Sequence, residues 1–302
     1  MNCCFIFSGQ GSHRPGMGVN LYKNSSVAKS KIDLADSVLD YKISEIMFSD
    51  DEETLKKTIN AQVSIYIYSC ILFDLIKEKN YSLAGVAGHS LGEFSALYAN
   101  ETYSFQDGLE IVKVRAKAMH KCETKNKGKM SAVIGLEKDI ITDTCKDTDT
   151  QIANINSDQQ IVISGSEQSI DEVSDKLKSL GAKRIIPLNV SGAFHSKLMS
   201  GAKEELKKII MEKTFHKPKC CIVSNYDGKK RNNIDDIKYA LIEQIDNPVL
   251  WNQSVKELGK ISNNIVEIGP KKVLSGLVKK INESLHISSF NSYNDIIEIN
   301  NV

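Results

Sequence analysis

The 302-residue chain is poor in arginine, with four among its 39 basic residues, and it has one tryptophan and five prolines. It also lacks charge imbalance: 38 acidic residues leave a formal net charge of +1. That balance gives no electrostatic case for nucleic acid or a membrane surface, so a charged ligand must be held locally. The seven cysteines (Cys3, Cys4, Cys70, Cys122, Cys145, Cys220, Cys221) contain no CxxC. A zinc ribbon and a disulfide framework are therefore not indicated, no metal or bound cofactor is expected, and structural thiols in a reducing cytoplasm are. The opening MNCCFIFSGQG has no basic n-region and too short an apolar run for a signal peptide. The longest apolar window, VSIYIYSCILFDLI at 63–76, is shorter than a membrane span, contains Asp74 and reads as a buried helix. No internal repeat is present, and the tail NDIIEINNV at 294–302 reads as a loose end.

What is present is an alternation of strand-length apolar runs, such as CCFIF and LAGVAG, with helical segments such as 105–122. That rhythm predicts an α/β fold with a mostly parallel sheet. Between about 124 and 193 it tightens: MSAVIGL, a helix from Glu137, QIANI, QIVISG, a helix over Glu167 to Leu180, then AKRIIPLNV. The order βαββαβ is that of a ferredoxin-like insert. The expected division is residues 1–123 with 194–302 as the large domain and 124–193 as the small one. KNKGK at 125–129 is the expected linker, and the return falls near Ser191 and Gly192.

Gly88-His89-Ser90-Leu91-Gly92 fits GxSxG with an apolar strand before it and a helix-forming run after it. A sharp strand-to-helix turn brings backbones together where a Cβ would clash, so the glycines are needed, and Ser90 stands at the start of a helix. Free N–H groups there, that of Leu91 included, suit an oxyanion. Asn100 is the expected left-handed end of that helix. His89 diverges from Ser90 on such a turn, so a base must come from elsewhere. His120, His216 and His286 read as solvated or structural, which leaves His13 and His195, and spacing does not choose between them.

The segment from Ser104 has a capping box with Asp107 and an apolar stripe of Ile111, Val112, Ala118, Met119 and Cys122. Arg115 falls within that stripe, while Lys113, Lys117 and Lys121 take the wet side. A buried cation is costly unless paired. Two readings follow: a structural salt bridge, or a receptor for a ligand carboxylate or phosphate near Ser90. SGQGSHRPGMG at 8–18 invites a nucleotide-binding reading, but Arg14 takes the third glycine position of GxGxxG and no P-loop Lys-Ser/Thr follows. What remains is a tight loop at the sheet's C-terminal edge, with the Gln10 N–H a candidate second oxyanion donor.

These segments together resemble the malonyl-CoA:acyl-carrier-protein transacylases of fatty acid synthesis and the acyltransferase domains of polyketide synthases. The resemblance runs in order through FSGQGS (7–12), GHSLGE (88–93), VRAKAM (114–119), ANINS (153–157), GAFHS (192–196), NPVLW (247–251) and IGPKKVLSGL (268–277). It implies an α/β-hydrolase-like large domain with a ferredoxin-like small one, and ping-pong transfer of malonyl from malonyl-CoA to the phosphopantetheine thiol of acyl carrier protein. Ser90 then resembles the nucleophile, His195 its base, and Gln10 and Leu91 the oxyanion donors. Arg115 resembles the receptor of the malonyl carboxylate, Gln244 a glutamine beside the histidine, and Phe194 the aromatic associated with malonyl over methylmalonyl. The departures are His13, where the family commonly has glutamine, and Lys271, where a glycine often follows Gly-Pro. Lys271, Lys272, Lys279 and Lys280 are a candidate basic surface for an acidic carrier protein, against a solvated helix face. The rival readings are a serine hydrolase or thioesterase using Asp171 or Asp175, a polyketide-pathway acyltransferase, and a non-catalytic carrier-protein docking module.

Overall fold

Strand β1 (Asn2–Phe7) is apolar on both faces and buried from Cys3 onward, the pattern of a strand covered on both sides. The structure, a computed structural model, describes every residue except Asn80 and residues 299–302. β1 lies between β2 (Ser82–Gly88) and β9 (Asn264–Ile268), parallel to both. Outside them run β10 (His286–Phe290), parallel to β9, and β7 (Cys221–Val223), parallel to β2; β8 (Lys230–Arg231) closes that edge antiparallel. The six-stranded order is β10-β9-β1-β2-β7-β8.

A second sheet is built from β3 (Gly128–Ile134), β4 (Gln151–Ser157), β5 (Gln160–Ser166) and β6 (Arg184–Pro187), in the order β4-β5-β3-β6 with all pairs antiparallel. Helices Lys138–Cys145 and Glu167–Ser179 complete the order βαββαβ and pack Ile141, Ile170, Val173 and Leu177 against its Val133, Ile161 and Ile163. The expected linker is shorter than KNKGK: the Phe105–Lys125 helix runs through Lys125 and β3 begins at Gly128. The small sheet is strapped to the rest where Ile155 N–H donates to Val249 O at 2.9 Å and Val249 N–H to Ala153 O at 2.8 Å. The ANINS and NPVLW segments therefore meet, which brings β4 over the C-terminal edge of the large sheet.

The apolar window at 63–76 lies in the helix Thr58–Lys77, which is long and apolar enough to cross a membrane by length and composition. The window read from sequence was too short to show this; in the fold 89% of the helix's apolar window is buried inside the protein. Asp74, on that helix, is paired with Lys31 and Lys77, each at 3.0 Å. The tail departs from a loose end, since Tyr293–Glu298 is helical, while its residues 299–302 lie outside the described residues. Asn100 is not left-handed. Its φ is −85°, Glu101 takes the positive φ of 56°, and the Asn100 amide instead ties down the next chain by donating to Cys220 O at 2.7 Å and accepting from Cys220 N–H at 2.8 Å.

Candidate active site

β2 ends at Gly88 and the next helix is Gly92–Ala99, so the chain reverses over three residues. Two glycines make this possible. A Cβ on Gly88 would lie 1.9 Å from the Gly92 carbonyl carbon, and one on Gly92 would lie 2.0 Å from Phe7 O in the adjoining central strand. Between them Ser90 is held at φ 53°, a conformation that costs a non-glycine residue about 1–3 kcal/mol. The restraint is Asn225: its Oδ1 accepts from Ser90 N–H at 2.6 Å and its Nδ2 donates to Gly88 O at 2.6 Å.

The Ser90 hydroxyl lies 2.7 Å from His195 Nε2, and His195 Nδ1 lies 2.9 Å from the main-chain oxygen of Gln244. A carbonyl only accepts, so Nδ1 carries the proton, Nε2 is the bare nitrogen, and Ser90 Oγ donates to it. Burial, with the Arg115 charge beside it, pulls the imidazole down to about 3, which keeps Nε2 an acceptor through the neutral range. An activated hydroxyl of this kind can attack a carbonyl carbon.

Arg115 is 1% exposed on the Phe105–Lys125 helix, whose start is capped by Ser104 Oγ accepting from Asp107 N–H at 3.0 Å. Its Nη2 donates to Ser90 Oγ and to Gln244 Oε1, each at 3.1 Å, and its Nη1 to Gln62 Oε1 at 2.6 Å. The guanidinium also lies over the Phe94 ring, 5.2 Å from its centroid. All of these partners are neutral. Among the described residues Arg115 forms no salt bridge, Nε has no acceptor, and burial pulls the guanidinium down to about 9 against the attraction of Glu93. The structural salt bridge is thus absent.

The loop after β1 abuts the turn at Ser90, and a Cβ on Gly9 would lie 2.2 Å from His89 O and 3.7 Å from Leu91 N. The main-chain N–H groups of Gln10 and Leu91 donate to no acceptor among the described residues. A cavity of about 440 Å³ opens over them, lined among others by Gln10, Ser90, Phe194, His195, Met130 and Lys280. Its far wall comes from the small sheet through Asn154, Asn156, Gln160 and Val162.

His89 points elsewhere: Nε2 lies 2.8 Å from Asn156 Oδ1 and the ring meets Trp251 edge-on at 5.4 Å. His120 faces Glu123 at 3.5 Å, and neither it nor His13 bonds to Ser90. Asp171 and Asp175 are on the surface, each 2.9 Å from a lysine, Lys129 and Lys178, so the hydrolase reading has no acid behind His195. The proposed lysine surface divides. Lys279 is tied to Glu283 O and Leu285 O at the end of its helix, and Lys280 lines the cavity. Lys113, expected on the wet side, is half-buried and paired with Asp40 at 2.9 Å. No group of three His, Cys, Asp or Glu among the described residues is placed to hold a metal ion.

Four residues at the site escaped the sequence reading: Gln62, Glu93, Asn225 and, as a partner of His89, Asn156. Gln62 had a signal, an amide standing directly before the longest apolar window of the chain, in the second turn of the Thr58–Lys77 helix.

The acyl transferase domain family matches residues 4–294. A malonyl CoA-acyl carrier protein transacylase of Bacillus subtilis is 39% identical over 287 residues, covering 93% of this chain and 90% of that protein. One from Staphylococcus aureus is 38% identical over 297 residues, 96% of each. The crystal structure of the Synechocystis malonyl-CoA:ACP transacylase superposes with a TM-score of 0.91 at 34% identity, covering 99% of this chain and 100% of that one. A type II PKS acyl-carrier protein in complex with its malonyl-transacylase gives 0.93 at 31% identity over 98% of each chain. The chain belongs to the acyl transferase family, among the malonyl-CoA:acyl-carrier-protein transacylases.

Proposed function

We propose that this protein is a malonyl-CoA:acyl-carrier-protein S-malonyltransferase that moves malonyl from malonyl-CoA to the phosphopantetheine thiol of acyl carrier protein for fatty acid biosynthesis. The observation that carries the substrate choice is Arg115, a buried cation bonded to the Ser90 hydroxyl and lacking any carboxylate of its own. A free acyl carboxylate is the partner that the site lacks.

In this reading His195 Nε2 takes the Ser90 proton as Oγ attacks the thioester carbonyl of malonyl-CoA. The oxyanion is received by the free N–H groups of Gln10 and Leu91. Collapse breaks the C–S bond, and the CoA thiolate leaves with the proton from His195. The carrier-protein thiol then gives its proton to His195 and attacks the malonyl-Ser90 ester; collapse returns the proton to Oγ. Arg115 fixes the acyl group while water competes, Gln244 orients both His195 and Arg115, and Phe194 narrows the space beside the α-carbon. These side chains and the two main-chain N–H groups carry the chemistry in this reading, with no bound cofactor. The large domain, 1–123 with 194–302, is read as α/β-hydrolase-like and the insert 124–193 as ferredoxin-like; the strand orders of the two sheets support this. Seven free thiols support a reducing cytoplasm.

The test is intact-mass measurement after mixing with malonyl-, methylmalonyl- or acetyl-CoA and then carrier protein. The expected result is a malonyl adduct on Ser90 that survives in water and is discharged by the carrier protein. Discharge by water alone indicates a hydrolase, and the absence of any adduct a non-catalytic docking module.

A further inference from the structure

We propose that Glu93 is a positioning residue for acyl selection: it holds the Gln244 side-chain amide in the orientation that turns Oε1 to Arg115, and so aligns the guanidinium without neutralising it. The inference rests on reading Arg115 as the receptor of the acyl carboxylate.

Glu93 is 2% exposed, in the first turn of the Gly92–Ala99 helix that follows Ser90. Its Oε2 accepts from Gln244 Nε2 at 2.6 Å and from Asn225 N–H at 3.2 Å. Gln244, with no exposed surface, also donates from Nε2 to Ser90 O at 3.1 Å and accepts at Oε1 from Arg115 Nη2 at 3.1 Å. The opposite flip would set Oε1 against a carboxylate and a carbonyl, and the NH₂ against a guanidinium; every contact would be repulsive. Glu93 and Arg115 thus face each other through one amide, without touching. Direct contact would close the guanidinium to a ligand. At one remove, the carboxylate offsets part of the cost of burying the cation and leaves Nη2 directed at Ser90 Oγ. The same carboxylate braces Asn225, which grips the main chain at Gly88 and Ser90.

The charged and titratable groups facing Glu93 are few. They are Arg115 from the Phe105–Lys125 helix, Arg231 from β8, which is engaged by Asp227 at 2.6 and 2.9 Å, and the Tyr103 hydroxyl, which donates to Phe94 O at 2.6 Å. Burial raises the Glu93 carboxyl to about 7, so it gains a proton within an accessible range. A protonated carboxyl can donate to Gln244 Oε1, and the amide is then free to turn.

The test is kcat/KM for malonyl-CoA against acetyl-CoA, with the same carrier protein, in wild type, Glu93→Gln and Arg115→Met. Glu93→Gln keeps the volume but lets two facing amides settle in either flip. The expected result is a malonyl-to-acetyl ratio about tenfold lower, the worth of one charge-assisted hydrogen bond, with the rise in KM confined to malonyl-CoA. In wild type the ratio should fall as pH drops from about 8 to about 6, and in Glu93→Gln it should not. CoA phosphates, His195 and the carrier protein serve both substrates and cancel in the ratio, and the malonyl carboxyl, with a pKa of about 4, stays ionised. An unchanged ratio in Glu93→Gln, equal loss on both substrates, or a pH dependence of the ratio that survives the substitution overturns the proposal. If Glu93→Gln fails to fold, a flat wild-type ratio overturns it. Arg115→Met separates the two readings. A ratio lowered by Arg115→Met and untouched by Glu93→Gln sinks the role of Glu93 alone; a ratio untouched by Arg115→Met sinks the carboxylate receptor beneath it.

Discussion

Replacing Arg115 by methionine asks the site to lose one charge and little volume. In the resting structure the guanidinium spends its donors on Gln62, Gln244 and Ser90, all neutral acceptors. A malonyl carboxylate arriving at Ser90 exchanges part of that set for charge-assisted bonds, each worth about 1.5–3 kcal/mol. Allowing for the neutral bonds given up, the net loss on substitution is about 3 kcal/mol, or about two orders of magnitude in kcat/KM for malonyl transfer. Acetyl transfer has no carboxylate to lose, and its kcat/KM should move by less than about fivefold. Folding should hardly notice. Burial that pulls the guanidinium down to about 9 opposes the charge, and removing that penalty offsets the donors lost to Gln62 and Gln244. The assay is transfer of radiolabelled malonyl or acetyl from CoA to carrier protein, with a thermal melt on the same preparation. Equal loss on both acyl groups at unchanged Tm would refute the reasoning, because Arg115 would then serve the Ser90 hydroxyl and not the acyl group.

Gly92→Ala places a Cβ 2.0 Å from Phe7 O at the C-terminal end of the central strand, and should cost more than about 4 kcal/mol, read as loss of soluble protein or a collapsed melt. Gly276→Ala, with nothing within 4 Å of its Cβ, should instead gain about 0.5–1 kcal/mol in helix stability by the same melt. His195, pulled down to about 3 from 6.5, makes the folded state bind fewer protons than the unfolded chain over that window, so its contribution to stability falls as pH drops, by on the order of 5 kcal/mol in all. Glu93, raised to about 7 from 4.5, has the opposite sign over pH 4.5–7, where the folded state binds the extra proton. The two oppose each other between 4.5 and 6.5, so His195→Gln should gain stability relative to wild type as pH falls through that interval, in melts across pH; a constant difference would contradict it.

The parts of the fold legible in the sequence are those where one period dominates. CCFIF reads as a strand by its length and its alternation with longer helical segments, and the insert's two helices and four strands follow the βαββαβ order read from their pattern. Arg115 was legible because a cation stood in an apolar stripe. What stayed hidden depends on contacts between residues far apart. Asn225 lies 135 positions from Ser90, in a polar turn whose local pattern says only loop. Glu93 sits within the GHSLGE motif itself, but as a charge in the first turn of a helix it reads as ordinary helix-start chemistry, which is favourable in water and needs no further reason. Its burial comes from tertiary packing, which no local pattern carries. The capping of the second-last helix is hidden in the same way: Glu267, with no exposed surface at the end of β9, accepts the N–H groups of Val273, Leu274 and Ser275.

The contacts of Gln244 join two functions that the sequence presents separately. Its main-chain oxygen sets the tautomer of His195, and its side-chain oxygen faces Arg115. A shift of this residue by a few tenths of an ångström would therefore displace His195 and Arg115, the proposed base and acyl receptor, together. Its side-chain amide is pinned by Glu93 and by Ser90 O, and the segment just beyond it is strapped to the small sheet through Val249. The small sheet thus meets the site at two places, the cavity wall opposite Ser90 and the segment that carries Gln244.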